Sequence, residues 1–153
     1  MSRPRVVITK HTGTLVLYDG EEEVWRCAVA TGQNPADKER EGDRATPVGE
    51  FYICYINPQS RYGRFLGISY PNVEDAERGL RSGLIDRTQY ERIVAAIAAR
   101  QCPPWDTPLG GEIGLHGPSP NGAATLGCIA MAPEHIERLY RLLELGDEVI
   151  ILP

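Results

Sequence analysis

The chain has little of several residue types, and each shortage narrows what the protein can be. Its 153 residues include 3 histidines and 4 cysteines, with no Cys-x-x-Cys pair and no His-Glu-x-x-His motif, so no zinc or other metal site is expected. Acidic residues outnumber basic ones and the net charge is -5, which argues against nucleic-acid binding. No stretch approaches the roughly 20 apolar residues of a transmembrane segment, and no signal peptide is visible in the first residues.

The length and the hydrophobic content predict one domain over residues 1–153. A hydrophobic fraction of 42% in a chain of 153 residues is enough for a single sizeable core. Cys27 and Cys54 lie in apolar, strand-like contexts, where a cysteine is usually a small buried hydrophobic residue. Cys102 lies in a loop, and two disulfides among the four cysteines remain an alternative.

The first half of the chain has the pattern of β-strands. Segments 5–10, 14–19 and 23–31 are rich in Val, Thr, Leu, Trp and Tyr, and short turn-forming pieces separate them. This spacing predicts successive hairpins in an antiparallel meander. Residues 32–49 contain three glycines, two prolines and many charges, so we expect a long surface loop of the kind that often carries function. The strand pattern resumes at residues 50–56.

Helical patterns follow residue 72. We predict a short helix near 73–82 and a longer one over about 87–100, where Ile93, Val94 and Ile97 have the spacing of one helical face. Paired prolines then end the second helix.

A third helix is predicted to begin at Pro133, since proline suits the first helical position. Its apolar stripe consists of Ile136, Leu139, Tyr140 and Leu143. Gly146 suits the position just after its end, and a last strand is expected over residues 147–152.

The fold class that these elements predict is mainly β with a few helices. Its simplest forms are a twisted β-sandwich or a partial barrel, with a helical insertion at about 73–100. A fold class by itself does not indicate a function.

One histidine and one cysteine stand in a stretch rich in glycine and small residues. His116 ends a strand-like run just before Gly117, and Cys128 directly follows Gly127. A catalytic cysteine needs a base that takes its proton and donors aimed at the oxyanion that forms on the attacked carbonyl. Either residue alone is more often structural, so the pattern leaves both a catalytic and a structural pair open.

Four segments resemble the L,D-transpeptidase catalytic domain family of the YkuD type. They are His-Gly at 116–117 followed by "TLGCIAM" at 125–131, the opening strands from residue 8, the Thr-Pro-x-Gly element at 46–49, and the closing strand "LGDEVIIL". The likeness covers nearly the whole chain and is greatest to the YafK-like murein-peptidase branch. It implies the mainly β fold of that family and an enzyme without a metal or organic cofactor.

The resemblance also implies a role for several residues. Cys128 would be the nucleophile, His116 its general base, and the carbonyl of Gly117 the group that orients the imidazole. Backbone N–H groups of Gly127 and Cys128, with Leu126 as a further donor, would form the oxyanion site. The family acts on peptidoglycan stem peptides, releasing a D-alanine and passing the acyl group from the cysteine to an amine or to water.

Two departures from the family pattern widen the choice of activities. Many members carry an arginine and a histidine where this chain has Ala130 and Leu126. The missing arginine removes a fixed cation that would position an anionic substrate. Hydrolysis of murein links by an L,D-endopeptidase or carboxypeptidase is therefore an alternative to cross-linking, and a catalytically silent peptidoglycan-binding domain is a second one.

Further polar side chains are candidate substrate contacts: Thr125, Arg44, Tyr62 and Arg64. Arg44 and Lys38 both lie in the long loop. For both, the competing interpretation is a side chain that only faces solvent. Packing is the competing role of Tyr62. His11 and His135 are expected to face solvent.

The implied substrate lies outside the cytoplasmic membrane, so the resemblance predicts a location in the cell envelope or periplasm. The sequence predicts no particular protein partner.

Overall fold

Eight β-strands form one sheet in the computed structural model, which describes residues 2–60, 63–118 and 122–153. The strands are β1 (Pro4–Thr9), β2 (Thr14–Asp19), β3 (Glu22–Ala28), β4 (Gly49–Ser60), β5 (Gly63–Ile68), β6 (Gly114–His116), β7 (Ile129–Ala130) and β8 (Glu148–Leu152). The helices are α1 (Val73–Ser82), α2 (Arg87–Ala98) and α3 (Pro133–Leu142). The mainly β class predicted from the sequence is confirmed.

The strand order in the sheet is β3-β2-β1-β8-β4-β5-β6-β7. The predicted antiparallel meander is present in β1, β2 and β3, and the last strand, β8, lies parallel to β1 between β1 and β4. β4 pairs with β8 along its first residues and with β5 along the rest, so one long strand joins both parts of the sheet. The result is a partial barrel, which is one of the two forms that the sequence predicts.

One face of the sheet carries the main hydrophobic core. Alternate residues of β1, β2 and β8 are almost fully buried, as the two-residue period of a strand requires: Val6, Ile8, Leu15, Leu17, Val149 and Ile151. The predicted stripe of α3 packs into the same core through Ile136, Leu139 and Leu143. This helix ends at Leu142, so Gly146 belongs to the following turn and not to the helix end as predicted.

The other two helices form a separate small core. α1 and α2 are capped by Asn72 and Asp86, the residues just before them, whose side chains accept backbone N–H groups in capping boxes. Their apolar faces enclose Ala76, Ile85, Ile93 and Leu109. The predicted boundaries hold within two residues at every end.

A disulfide joins Cys54 in β4 to Cys102, just after α2. The expectation that Cys54 is merely a buried hydrophobic residue is therefore wrong. Periodicity within one strand carries no information about a partner 48 residues away. Cys27 remains a free, buried thiol, as predicted, and Cys128 is the other free cysteine.

No helix in the described part of the chain is long and apolar enough to cross a membrane.

Candidate active site

The pairing of β6 with β7 brings His116 beside the segment that carries Cys128. The two strands are parallel, with His116 opposite Ala130. Cys128 lies in the bend directly before β7. Its sulfur accepts the backbone N–H of Gly114 in β6, so the thiol lies against the same strand as His116, two residues before it.

The thiol of Cys128 lies against the backbone that leads into β6. Its Sγ atom donates to the carbonyl oxygen of Glu112 at 3.4 Å. Glu112 has φ of 57°, a left-handed conformation that is uncommon outside glycine.

Burial raises the pKa of the Cys128 thiol above its ordinary value. A hydrogen bond from the Gly114 backbone N–H offsets part of this rise, the Glu112 carboxylate adds to it, and the Lys38 ammonium opposes it. The resting side chain is consequently a neutral thiol at neutral pH, and a neutral thiol must lose its proton to a base before it can act as a nucleophile.

His116 is a buried, hydrogen-bonded imidazole on β6. The residue is 6% exposed, and its Nδ1 lies 2.8 Å from the carbonyl oxygen of Gly117. Because a carbonyl oxygen only accepts, Nδ1 carries the proton and Nε2 keeps its lone pair. Burial lowers the pKa of His116 and the bond to Gly117 raises it in part, so the imidazole is neutral near pH 7. The structure thus forms the His116–Gly117 contact that the resemblance implies.

The turn before Cys128 is organised by the hydroxyl of Thr125. Its Oγ1 accepts the Gly127 N–H at 2.9 Å and donates to the Cys128 carbonyl at 2.6 Å. The Gly127 N–H, which the resemblance assigns to the oxyanion site, is therefore already donated to Thr125. In residues 2–60, 63–118 and 122–153, the N–H groups of Leu126 and Cys128 have no acceptor, so these two are the available donors. Thr125 shapes the site and is itself hydrogen-bonded within it.

The carbonyl of Gly127 is held from another part of the chain. Thr46 Oγ1 donates to it at 2.7 Å and accepts the Gly32 N–H at 2.8 Å. Gly127 has φ of 140°, and a Cβ there would lie 3.0 Å from the carbonyl oxygen of Ala45. The Thr-Pro-x-Gly element of the sequence therefore packs directly behind the cysteine.

In the sequence, Thr46 stands out only as part of a family motif, and no local pattern indicates a role for Glu112 or Gly114. In sequence, Thr46 lies 81 residues from its partner Gly127, and Glu112 lies 16 residues from its partner Cys128. Gly114 is marked only by its place two positions before the histidine.

The long loop contains a buried cation. Lys38 is 3% exposed, and its Nζ donates to Asp43 Oδ1 at 2.9 Å and to the Arg40 carbonyl at 3.0 Å. The interpretation of Lys38 as a solvated side chain is wrong, because Asp43 and backbone oxygen replace its water shell. Arg44 is exposed and donates to Gln33 Oε1 at 3.3 Å, so it remains free to contact a ligand.

Arg64 does not reach the site. Its Nε donates to Glu137 at 2.8 Å and its guanidinium lies 4.3 Å from the centre of the Tyr140 ring, both on α3. The neighbouring Phe65 pairs with His116, so Arg64 points to the opposite face of the sheet. Tyr62 lies outside the described residues.

The two remaining histidines differ. His11 is exposed, as expected. His135 is only partly exposed: its ring lies 5.3 Å from that of Trp25, and its Nδ1 is buried without a hydrogen-bond partner in the described part of the chain. The expectation that His135 faces solvent is wrong, because α3 turns it onto β3. His135 lines an open groove of about 430 Å³ beside β7. The other residues that line this groove are mostly small and apolar.

The site contains no group of three or more His, Cys, Asp or Glu side chains that would hold a metal ion, and the same is true of the rest of the described residues.

The sheet and the adjoining cysteine and histidine define a mainly β domain with a thiol site. The family model of the L,D-transpeptidase catalytic domain (YkuD) matches residues 3–151. The chain belongs to this family, and membership implies a function related to peptidoglycan. The likeness to the narrower YafK-like branch stays a prediction.

Solved structures share the fold. The helical cell shape determining protein Pgp2 from Campylobacter jejuni superposes with a TM-score of 0.68 at 23% identity, over 97% of this chain and 47% of Pgp2. Bd1075 from Bdellovibrio bacteriovorus gives 0.64 at 18%, over 99% and 48%. An L,D-transpeptidase from Mycobacterium smegmatis gives 0.58 at 14%, over 99% and 59%. The chain thus spans about half the length of Pgp2 and Bd1075. No curated protein matches the chain.

Proposed function

We propose that this domain is an acyl-transfer enzyme that attacks peptidoglycan stem peptides and forms a thioester on Cys128. One observation carries the proposal: the Cys128 thiol contacts the β6 backbone at Gly114, two residues before His116, whose imidazole proton is committed to Gly117. A neutral thiol next to a neutral imidazole is a pair that can pass one proton when a substrate carbonyl arrives.

The first half-reaction would proceed as follows. His116 Nε2 takes the thiol proton as the Cys128 sulfur attacks the carbonyl carbon at the L-centre of the diamino-acid residue. The N–H groups of Cys128 and Leu126 stabilise the oxyanion of the tetrahedral intermediate. The intermediate collapses, the C–N bond breaks, and imidazolium returns the proton to the departing amino group of D-alanine.

The second half-reaction reuses the same groups. An acceptor amine or a water molecule gives its proton to His116 and attacks the thioester carbonyl, and the Cys128 thiolate leaves and regains the proton. An amine yields a cross-link, whereas water yields a shortened or cleaved peptide.

Hydrolysis is the second candidate, and the surroundings of Ala130 favour it. Ala130 is 2% exposed and exchanges two backbone hydrogen bonds with Ala30, so this position presents no cation to a substrate carboxylate. Many family members have an arginine at this position, whereas this chain has only a methyl group. The site is then less selective for one particular acceptor.

The test uses a purified disaccharide tetrapeptide with wild type and Cys128→Ala, with and without an acceptor amine. Intact-mass spectrometry should show an acyl adduct on wild type only, together with release of D-alanine. Amine-dependent cross-linked product supports the transpeptidase, and hydrolysed product alone supports the hydrolase.

Thiol reactivity separates both enzymes from a silent peptidoglycan-binding domain. Burial raises the pKa of Cys27 to about 11, and Cys54 and Cys102 are paired, so Cys27 serves as the internal reference thiol. A Cys128 that reacts with iodoacetamide no faster than Cys27 at pH 7.5 would contradict the catalytic proposal.

We also propose a location in the cell envelope. The Cys54–Cys102 disulfide supports it, since such bonds persist in oxidising compartments and are rare in the cytosol. Thiol labelling of protein taken directly from fractionated cells checks this: a cytoplasmic protein with all four thiols free would contradict it.

A further inference from the structure

We propose that Thr46 is a positioning residue that sets the direction of the Cys128 N–H and thereby builds the oxyanion site. The inference rests on the proposed function, because it concerns how the oxyanion of the Cys128 reaction is held. Thr46 itself acts through the peptide group between Gly127 and Cys128 and does not touch the substrate.

The hydroxyl of Thr46 has only one way to arrange its proton. It accepts the N–H of Gly32 at 2.8 Å, so its own proton is directed to the carbonyl oxygen of Gly127 at 2.7 Å. Thr46 is 0% exposed, which excludes water as a competing partner. A β-branched side chain also has few χ1 rotamers, so the hydroxyl stays in place.

The consequence follows from the planarity of the peptide bond. The Gly127 carbonyl and the Cys128 N–H belong to one planar trans group and point in opposite directions. A carbonyl turned to Thr46 therefore turns the Cys128 N–H away from Thr46, where no described residue accepts it. At a glycine with φ of 140°, the backbone alone imposes little preference on this peptide orientation.

Thr125 does not duplicate this function. It binds the Gly127 N–H and the Cys128 carbonyl, which belong to the two flanking peptide groups. Only Thr46 among the described side chains holds the peptide group that carries the Cys128 N–H.

The backbone of Thr46 is anchored in turn. Lys10, at the end of β1, donates from Nζ to the Thr46 carbonyl at 2.6 Å and to the Ala36 carbonyl at 2.9 Å. This contact ties Thr46 to the main sheet, so its hydroxyl is a fixed reference point for the turn that bears Cys128.

The test compares two reactions of the same thiol. Iodoacetamide alkylates the sulfur by direct displacement without an oxyanion. p-Nitrophenyl acetate acetylates it through a tetrahedral oxyanion and releases p-nitrophenolate. Thr46→Val removes the hydroxyl at nearly constant volume, Thr46→Ser keeps it, and Cys128→Ala gives the background of each reaction.

We expect T46V to slow acetylation on the order of 10- to 100-fold, since loss of one oxyanion donor costs about 10²- to 10³-fold and a misdirected donor retains part of its effect. Alkylation should stay within about twofold of wild type, and T46S should recover most of the acetylation rate. If T46V is too unstable to purify, Thr46→Ala is expected to give the same split between the two rates.

Ser69→Ala is the matched control, because Ser69 is also buried and accepts a backbone N–H, from Tyr52. It should leave the ratio of the two rates unchanged. A T46V ratio equal to that of wild type or of S69A overturns the role of Thr46. A wild type that is acetylated no faster than Cys128→Ala would instead defeat the proposed nucleophile, which is a separate failure.

Discussion

Cys128 Sγ lies 3.4 Å from the carbonyl oxygen of Glu112, a residue whose own backbone is left-handed. The thiol proton at rest is thus directed to a backbone oxygen. Because burial also raises the thiol pKa, the resting site is a thiol and not a thiolate. In the proposed mechanism, activation comes with the substrate, through proton transfer to His116, and this order of events has measurable consequences.

Replacement of His116 by Ala should lower kcat/KM for the stem peptide by about 10²- to 10⁴-fold, the range expected for a lost general base. The remaining rate should climb with pH until the Cys128 thiol ionises by itself, above its ordinary pKa of 9.0. Rate measurements across pH 6 to 11 on H116A check this. The exposed His11→Ala is the control and should match wild type. An H116A rate within tenfold of wild type at pH 7 would exclude His116 as the base.

The acid limb of the wild-type pH profile should have its midpoint below 6.5. Burial lowers the pKa of His116 from 6.5, so its neutral, base-competent form persists to more acid pH than that of a free histidine. Activity is therefore present at pH 6.5 and is lost as the pH falls through the lowered value. Titration of the His116 ring by NMR, compared with kcat/KM against pH, tests the assignment. A midpoint above 6.5 would argue for a different titrating group.

Gly127→Ala should both destabilise the protein and abolish acyl transfer. The change places a Cβ at φ of 140°, 3.0 Å from the Ala45 carbonyl oxygen, and strained backbone of this kind costs on the order of 1–3 kcal/mol. Gly20→Ala is the control, since φ is 63° there and nothing lies within 4 Å of the added Cβ. Urea denaturation and acetylation rates distinguish the two variants. G20A should lose stability but keep the acetylation rate of wild type. An active, fully stable G127A would show that this turn tolerates a side chain.

Removal of the disulfide in Cys54→Ala/Cys102→Ala should lower the free energy of unfolding by about 2–4 kcal/mol. The bond closes a loop of 48 residues that contains both α1 and α2. A reducing agent should destabilise wild type and leave the double variant unaffected, as measured by thermal melting. Equal melting of reduced and oxidised wild type would mean that the bond contributes little to the fold.

Arg44 and Arg64 form a matched pair for substrate contacts. Arg44→Gln should raise KM for an anionic stem peptide several-fold, because its exposed guanidinium lies on the loop that packs behind Cys128. Arg64→Gln should leave KM unchanged and cost at most about 1 kcal/mol of stability, since its ion pair with Glu137 is partly exposed. Steady-state kinetics of both variants test this. A larger KM change for R64Q than for R44Q would mean that Arg64, and not Arg44, contacts the substrate.

Much of the fold was predictable because strand alternation and helix caps are local. The ends of β2 and α1 match the predicted positions, and so does the start of α3 at Pro133. Gly146 was misassigned to the end of α3 because a glycine after an apolar stripe serves a helix end and a tight turn equally well. His135 was misjudged because the environment of one helical face depends on what packs against it.

The sequence by itself determined the mainly β class, the family, and the presence of one histidine and one cysteine near strand ends, since these depend on residue types and spacing along the chain. Only the tertiary structure decided which groups act on them. The Thr46 hydroxyl, the Glu112 carbonyl and the Cys54–Cys102 bond link positions far apart in sequence, and such contacts arise from strand register and loop packing. Arg64 was separated from the site for the same reason: in a strand, adjacent side chains face opposite sides of the sheet.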